Sequence, residues 1–234
     1  MLKAALLVTA VLGTAGCEVN GRHAGPVEHL ARSIENGKYE MSRLELKMGA
    51  GELGITGGSS KLLDGDFTYN IESWKPIFTS HEVAGSRADI KVEQPDGGPA
   101  MGNIEYKWNL ALNDQVPWDI VTHLGAGEAR MELGNTALRK VTVHMGVGSL
   151  NLDLRGKPKH SFDIEIHGGV GEARVYLPKS AAISATAHGG IGEILVEGLE
   201  KHGNRWTNAL AEDAPVSIRL EANGGVGSIR ISAE

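Results

Sequence analysis

Four histidines stand at matching places in a repeated phrase. His123, His144, His167 and His188 each precede the second glycine of a G-x-G by four residues, and Lys47 and Asn223 hold the same place in two further copies. Histidine is the commonest metal ligand, and imidazoles on adjacent strands about 4.8 Å apart have the chemistry to take zinc, copper or nickel. The same row could respond to acid, because neighbouring imidazolium charges repel. Glu128, Glu172 and Glu193 lie just past the glycines. Side chains in one column point the same way, however, which makes tetrahedral closure about one ion awkward. The competing reading is a solvated ladder beside a tight corner, its rings stacked or bonded to backbone. The expectation is therefore no cofactor and no metal, with these four histidines as the residues that would hold one.

The phrase that carries them recurs six times: LELKMGAGELGIT from Leu44, WDIVTHLGAGEARMEL from Trp118, VTVHMGVGSLNLDL from Val141, FDIEIHGGVGEARVYL from Phe162, AISATAHGGIGEILVE from Ala182 and VSIRLEANGGVGSIRI from Val216. The second glycines, Gly51, Gly127, Gly148, Gly171, Gly192 and Gly227, are spaced 76, 21, 23, 21 and 35 residues apart. A fixed period marks units that cannot bury their apolar faces alone and must stack on a neighbour.

Within a copy, Phe162, Ile164 and Ile166 alternate with Asp163, Glu165 and His167. Past the glycines, Ala173, Val175 and Leu177 alternate with Glu172, Arg174 and Tyr176. A period of two means a strand with one buried face, and the glycines permit a corner that a Cβ would resist. Strand, corner, strand and turn in about 21 residues make one coil of a β-solenoid. The expectation is an all-β, single-domain, right-handed solenoid, with consecutive copies stacked in sequence order. A sandwich of ordinary hairpins is the alternative. The copy from Val216 to Ile231 is expected to be the terminal coil, its free edge blunted by Arg219 and Arg230.

The remainder of the chain fits around this plan. Residues 1–16 read as a signal peptide: Lys3, an apolar run from Ala4 to Leu12, then small residues, too short to span a membrane. Thr14-Ala15-Gly16-Cys17 resembles a bacterial lipobox, although Thr14 stands where that pattern has leucine. The resemblance implies a lipid on Cys17, and Glu18 is not the aspartate that resembles an inner-membrane retention signal. Cys17 is the only cysteine, so disulfides and cysteine metal sites are excluded together. Residues 17–42 read as a tether and 43–234 as the domain. Residues 57–117, with Trp74 and Trp108, read as inserted extra strands, and 198–215 as a polar loop. A net charge of −6 without a basic run argues against nucleic acid.

The segments Tyr69-Asn70-Ile71-Glu72-Ser73-Trp74-Lys75-Pro76 and Leu112-Asn113-Asp114-Gln115-Val116-Pro117, with the G-x-G copies, resemble the toast-rack domain family over roughly residues 40–234. That resemblance implies a β-solenoid of the bacterial cell envelope, adhesin-like or part of a stress-sensing system of the LiaF type, with no catalytic residues to carry over. The chain departs from LiaF in having no transmembrane helices.

An enzyme is not expected. Asp153, Asp163 and Glu165 fall in different columns, no G-x-S-x-G, H-E-x-x-H or P-loop is present, and the G-x-G copies join strands rather than opening a helix. Two functions are consistent with the residues. One is an exported envelope binding or scaffold module anchored to a membrane through Cys17, facing the periplasm or the surface. Its partner would be an envelope protein or glycan, with Tyr176, Leu195 and Trp206 as contact candidates. The other is a regulatory domain of an envelope-stress sensor.

Overall fold

The structure is a computed structural model that describes residues 22–83, 86–210 and 214–234. The leader and Cys17 lie outside the described residues. Alternating apolar residues form strands throughout. The first are β1 (Arg22–His23), β2 (Glu28–Ile34), β3 (Met41–Thr56), β4 (Leu63–Tyr69), β5 (Ile77–Val83), β6 (Arg87–Glu93), β7 (Ala100–Met101) and β8 (Tyr106–Leu112). There follow the long strands β9 (Trp118–Glu132), β10 (Leu138–Asp153), β11 (Phe162–Leu177) and β12 (Ala182–Glu197), the short pair β13 (Glu200–His202) and β14 (Arg205–Thr207), and β15 (Ser217–Ala233).

The six long strands are the six copies, and they lie parallel and in register. Each bends at its G-x-G, so that its two halves form two walls around one core. In β3 the buried set is Leu44, Leu46 and Met48 before the corner, then Leu53 and Ile55 after it. The phase shifts by one residue, and the bend is what returns the second set to the interior. At Gly171 the backbone has φ +141°, and a Cβ there would fall on the carbonyl oxygen of Gly148 in the coil below. Only glycine allows coils to stack this closely at the corner.

The spatial order of the copies is β3, β9, β10, β11, β15, β12. The expectation of stacking in sequence order is thus corrected at the end of the chain. The last copy, β15, is not terminal; it sits between β11 and β12. One side-chain pair across coils favours this order. Arg219 reaches Asp163 at 3.2 Å and Arg230 reaches Glu172 at 3.5 Å, both acids on β11. The position of β12 that matches Asp163 is Ser184, which offers Arg219 no charge, whereas the position that matches Glu172 is the acid Glu193. The two arginines expected to blunt a free edge therefore face an acidic neighbour instead.

The stretch read as a tether is also corrected. Glu28–Ile34 is an ordered strand, paired antiparallel with β4 along its whole length. Alternation is weak in EHLARSI, which is why it does not read as a strand. Residues 57–117 widen the first coil as expected. The first half of β3 pairs with β6, which pairs with β5, while its second half pairs with β8, then β4, then β2. Phe67, Phe78, Trp74, Tyr106 and Trp108 fill the wedge between these diverging arms through edge-on and tilted ring contacts at 5.5–6.4 Å.

Candidate functional site

The histidine positions do form one column. His123 stacks on His144 at 4.7 Å and His144 on His167 at 4.9 Å, with planes 6° and 10° from parallel. The inserted β15 breaks the expected run of four: His167 pairs with Asn223, and Asn223 pairs with His188. The Asn223 amide donates to Glu221 at 3.0 Å. At the other end, Lys47 leaves the column for Glu45 at 2.8 Å, and the Gln94 side-chain Oε1 accepts from the Gly49 backbone N–H at 2.8 Å. Partial burial and the two flanking rings hold the pKa of His144 below its ordinary 6.5, against the pull of Glu165. Parallel rings one strand apart direct their nitrogens side by side, and no cluster of three or more His, Cys, Asp or Glu is placed to hold an ion among the described residues.

A second column was missed in the sequence. The middle residue of each G-x-G points outward at the corner, giving Ala50, Ala126, Val147, Val170, Val226 and Ile191 in register. Val147, Val170, Val226 and Ile191 are 54%, 48%, 47% and 73% exposed. Four branched aliphatic side chains thus form a continuous exposed ridge along the corner of the later coils. Its signal in the sequence was an aliphatic residue between two glycines, a place where nothing buried requires one.

The residue before each corner explains a third feature. Met48, Leu124 and Met145 fill the interior of the early coils, whereas Gly168, Gly224 and Gly189 hold the same column in the last three. Losing three large side chains leaves a cavity of about 80 Å³, lined by Met145, Ile166, Gly168, Gly189, Ile194 and Ile229. It sits at the end of the stack where β12 is the last coil. The start of β12 is covered there, by antiparallel pairing of Ser184 and Ala185 with β14 and by Asn208, which accepts from the Ile183 N–H and donates to the Ala181 carbonyl. Its second half, Gly192–Glu197, has no strand beyond it among the described residues.

Of the three contact candidates, Leu195 is exposed on this half-strand. Tyr176 lies half-buried under the Arg155 guanidinium at 4.7 Å, and Trp206 is packed half-buried beneath Lys201 at 5.0 Å. These rings serve local packing on the coil turns.

With that geometry in place, the likeness to known proteins is specific. Residues 23–176 match the model of the family described as N-terminal domain of toast_rack, DUF2154. The chain belongs to the toast-rack family. A solved candidate cell adhesion protein from Clostridium sporogenes is 33% identical, with 89% of this chain and 100% of that chain covered and a TM-score of 0.85. A candidate adhesin from Bacteroides fragilis is 10% identical, over 90% of this chain and 100% of that one, with a TM-score of 0.32. A comparison with curated proteins returns no match.

The toast-rack motif residues hold the widened first coil together. Asn113 donates to the Ser59 and Lys61 carbonyls at 3.1 Å and accepts from the Gln115 and Val116 N–H groups. Asn70 likewise donates to the Asn103 carbonyl and accepts from the Glu105 N–H. The Tyr106 hydroxyl donates to the Trp74 carbonyl at 2.7 Å. In this toast-rack chain these bonds fix the loops around the aromatic wedge.

Proposed function

We propose that this toast-rack protein is a non-catalytic binding or scaffold module of the cell envelope, adhesin-like in action and held to a membrane by a lipid on Cys17. The observation that carries the reading is the exposed aliphatic ridge Val147, Val170, Val226 and Ile191 on a rigid, in-register stack. Contiguous apolar side chains ringed by polar ones favour contact with a partner. The relative described as a candidate cell adhesion protein supports the same direction. The outward charges support it too, because they are engaged with each other along and between coils: Glu165 with Lys140 at 2.8 Å, and Glu172 with Arg174 at 2.7 Å. Charges spent in this way stiffen a surface rather than converge on a reacting group. No helix among the described residues is long and apolar enough to cross a membrane.

The test is intact mass and membrane partition of the full chain, made in a bacterium with its own leader, beside Cys17→Ala. A diacyl- or triacylglyceryl mass on the parent and its loss in the variant is the expected result. An unmodified mature chain that stays out of the membrane fraction overturns the anchored reading.

A further inference from the structure

We propose that the second half of β12, Gly192–Glu197, is a docking edge for an extended partner strand with basic and apolar residues in alternation. This deepens the binding-module reading by naming the chemistry of a partner.

Three features of one place converge. The half-strand has β15 on one side and no strand on the other, so its outer row of backbone N–H and C=O groups is unpaired among the described residues. In the first half of the same strand, Ser184 and Ala185 pair with β14, whereas the second half has no such pairing among the described residues. An unpaired edge of this kind templates strand addition.

The inner side of the edge lacks a cover. Ile194 is 37% exposed, whereas Ile229, its partner one coil inward, is 6% exposed. Val196 is half-buried, whereas its partner Ile231 is fully buried. The glycine-lined cavity lies directly behind Ile194. A guest strand would place two inward apolar side chains beside Ile194 and Val196 and close the core.

The outer side lacks a cation. In two of the coils behind, the acid just past the corner is followed two residues later by arginine, Glu128 and Arg130 in β9 and Glu172 and Arg174 in β11, and Glu172 also faces Arg230 of the neighbouring coil. On β12 the arginine position is Leu195, leaving Glu193 and Glu197 on either side of an aliphatic residue. A guest with lysine or arginine opposite each glutamate supplies the missing charge. The same pattern disfavours a second copy of the chain, since two β12 edges paired antiparallel about Leu195 would set Glu193 against Glu197, and like charges directly opposite are destabilising. The guest therefore reads basic, apolar, any, apolar, basic.

A labelled synthetic peptide repeating Lys-Val-Thr-Val matches that spacing, and its binding to the full chain is read by fluorescence anisotropy. Saturable binding is expected, weakened about tenfold or more by the double substitution Glu193→Lys, Glu197→Lys, which exchanges two attractive pairs for two repulsive ones. Both glutamates are exposed, and circular dichroism of the variant should match the parent. A peptide of the same composition with its lysines clustered at one end should bind about tenfold more weakly, because net charge alone cannot satisfy the register. No saturable binding, equal binding by the clustered peptide, or equal binding by the double variant would each overturn the proposal. So would a dimer of the parent chain in sedimentation that the double substitution abolishes, which would assign the edge to a second copy. The assay contains no membrane or lipid, so a failed docking edge leaves the Cys17 mass result standing, and the converse holds.

Discussion

The imidazoles of His123 and His144 stack 4.7 Å apart with planes 6° from parallel, and His167 continues the stack on the other face of His144. The middle ring is thus the one whose protonation is opposed from both sides. Its pKa is lowered by burial first and by the two neighbouring rings next, with Glu165 acting in the opposite sense and itself held by Lys140.

A folded pKa below the unfolded value means that the unfolded chain binds the proton more readily. The contribution of His144 to stability is then complete above its ordinary 6.5 and declines as pH falls through that value. Urea midpoints of the parent should drop between pH 8 and pH 5, and His144→Asn, which copies the Asn223 position, should drop less. Identical pH profiles for the two would remove the stack as a source of acid sensitivity.

Gly168 and Gly171 are three residues apart on one strand and should respond oppositely to alanine. Gly168 faces the cavity, with its nearest obstacle to a Cβ the Asn223 carbonyl oxygen at 3.8 Å, so Gly168→Ala should stabilise by about 1 kcal/mol through reduced chain entropy and added apolar contact. Gly171 has φ +141° and no room above Gly148, so Gly171→Ala should cost about 4 kcal/mol or more. Urea unfolding of both variants checks the stacking geometry.

Asn113 is 5% exposed and serves two carbonyls and two N–H groups. Asn113→Ala should cost about 3 kcal/mol, since several backbone groups lose their partner at once. A loss below about 1 kcal/mol would mean that the loops around it are held by something else.

Ile166 is 3% exposed in the core of β11, and its neighbour Glu165 points outward to Lys140 at 2.8 Å. Ile166→Asp should cost about 4 kcal/mol by burying an unpaired charge, and Glu165→Ala at most about 1 kcal/mol, the range of an exposed ion pair. Comparable losses would contradict the assignment of faces.

The alternation of Phe162, Ile164 and Ile166 with Asp163, Glu165 and His167 made each coil legible before any coordinates, because a period of two is a property of neighbouring residues. The motif around Asn113 pointed to the family, although its role as a loop clamp appears only when Ser59 and Lys61 are seen beside it. The ridge was harder to find. A single valine in Val147's place is unremarkable, and its meaning comes from Val170, Val226 and Ile191 standing in register with it.

Local pattern was enough to specify the strands, the glycine corners and the inward faces, since these depend on backbone sterics and side chains within one coil. The order of the coils was not contained in it. β15 has the same phrase as β12, and either could have packed on β11; what distinguishes the observed order is Arg219 meeting Asp163 across the gap, where β12 carries Ser184. From that one choice follow the Asn223 break in the histidine column and the open half-edge at Glu193 and Glu197, because contacts between coils are made by residues distant in the chain and exist only once the coils are stacked.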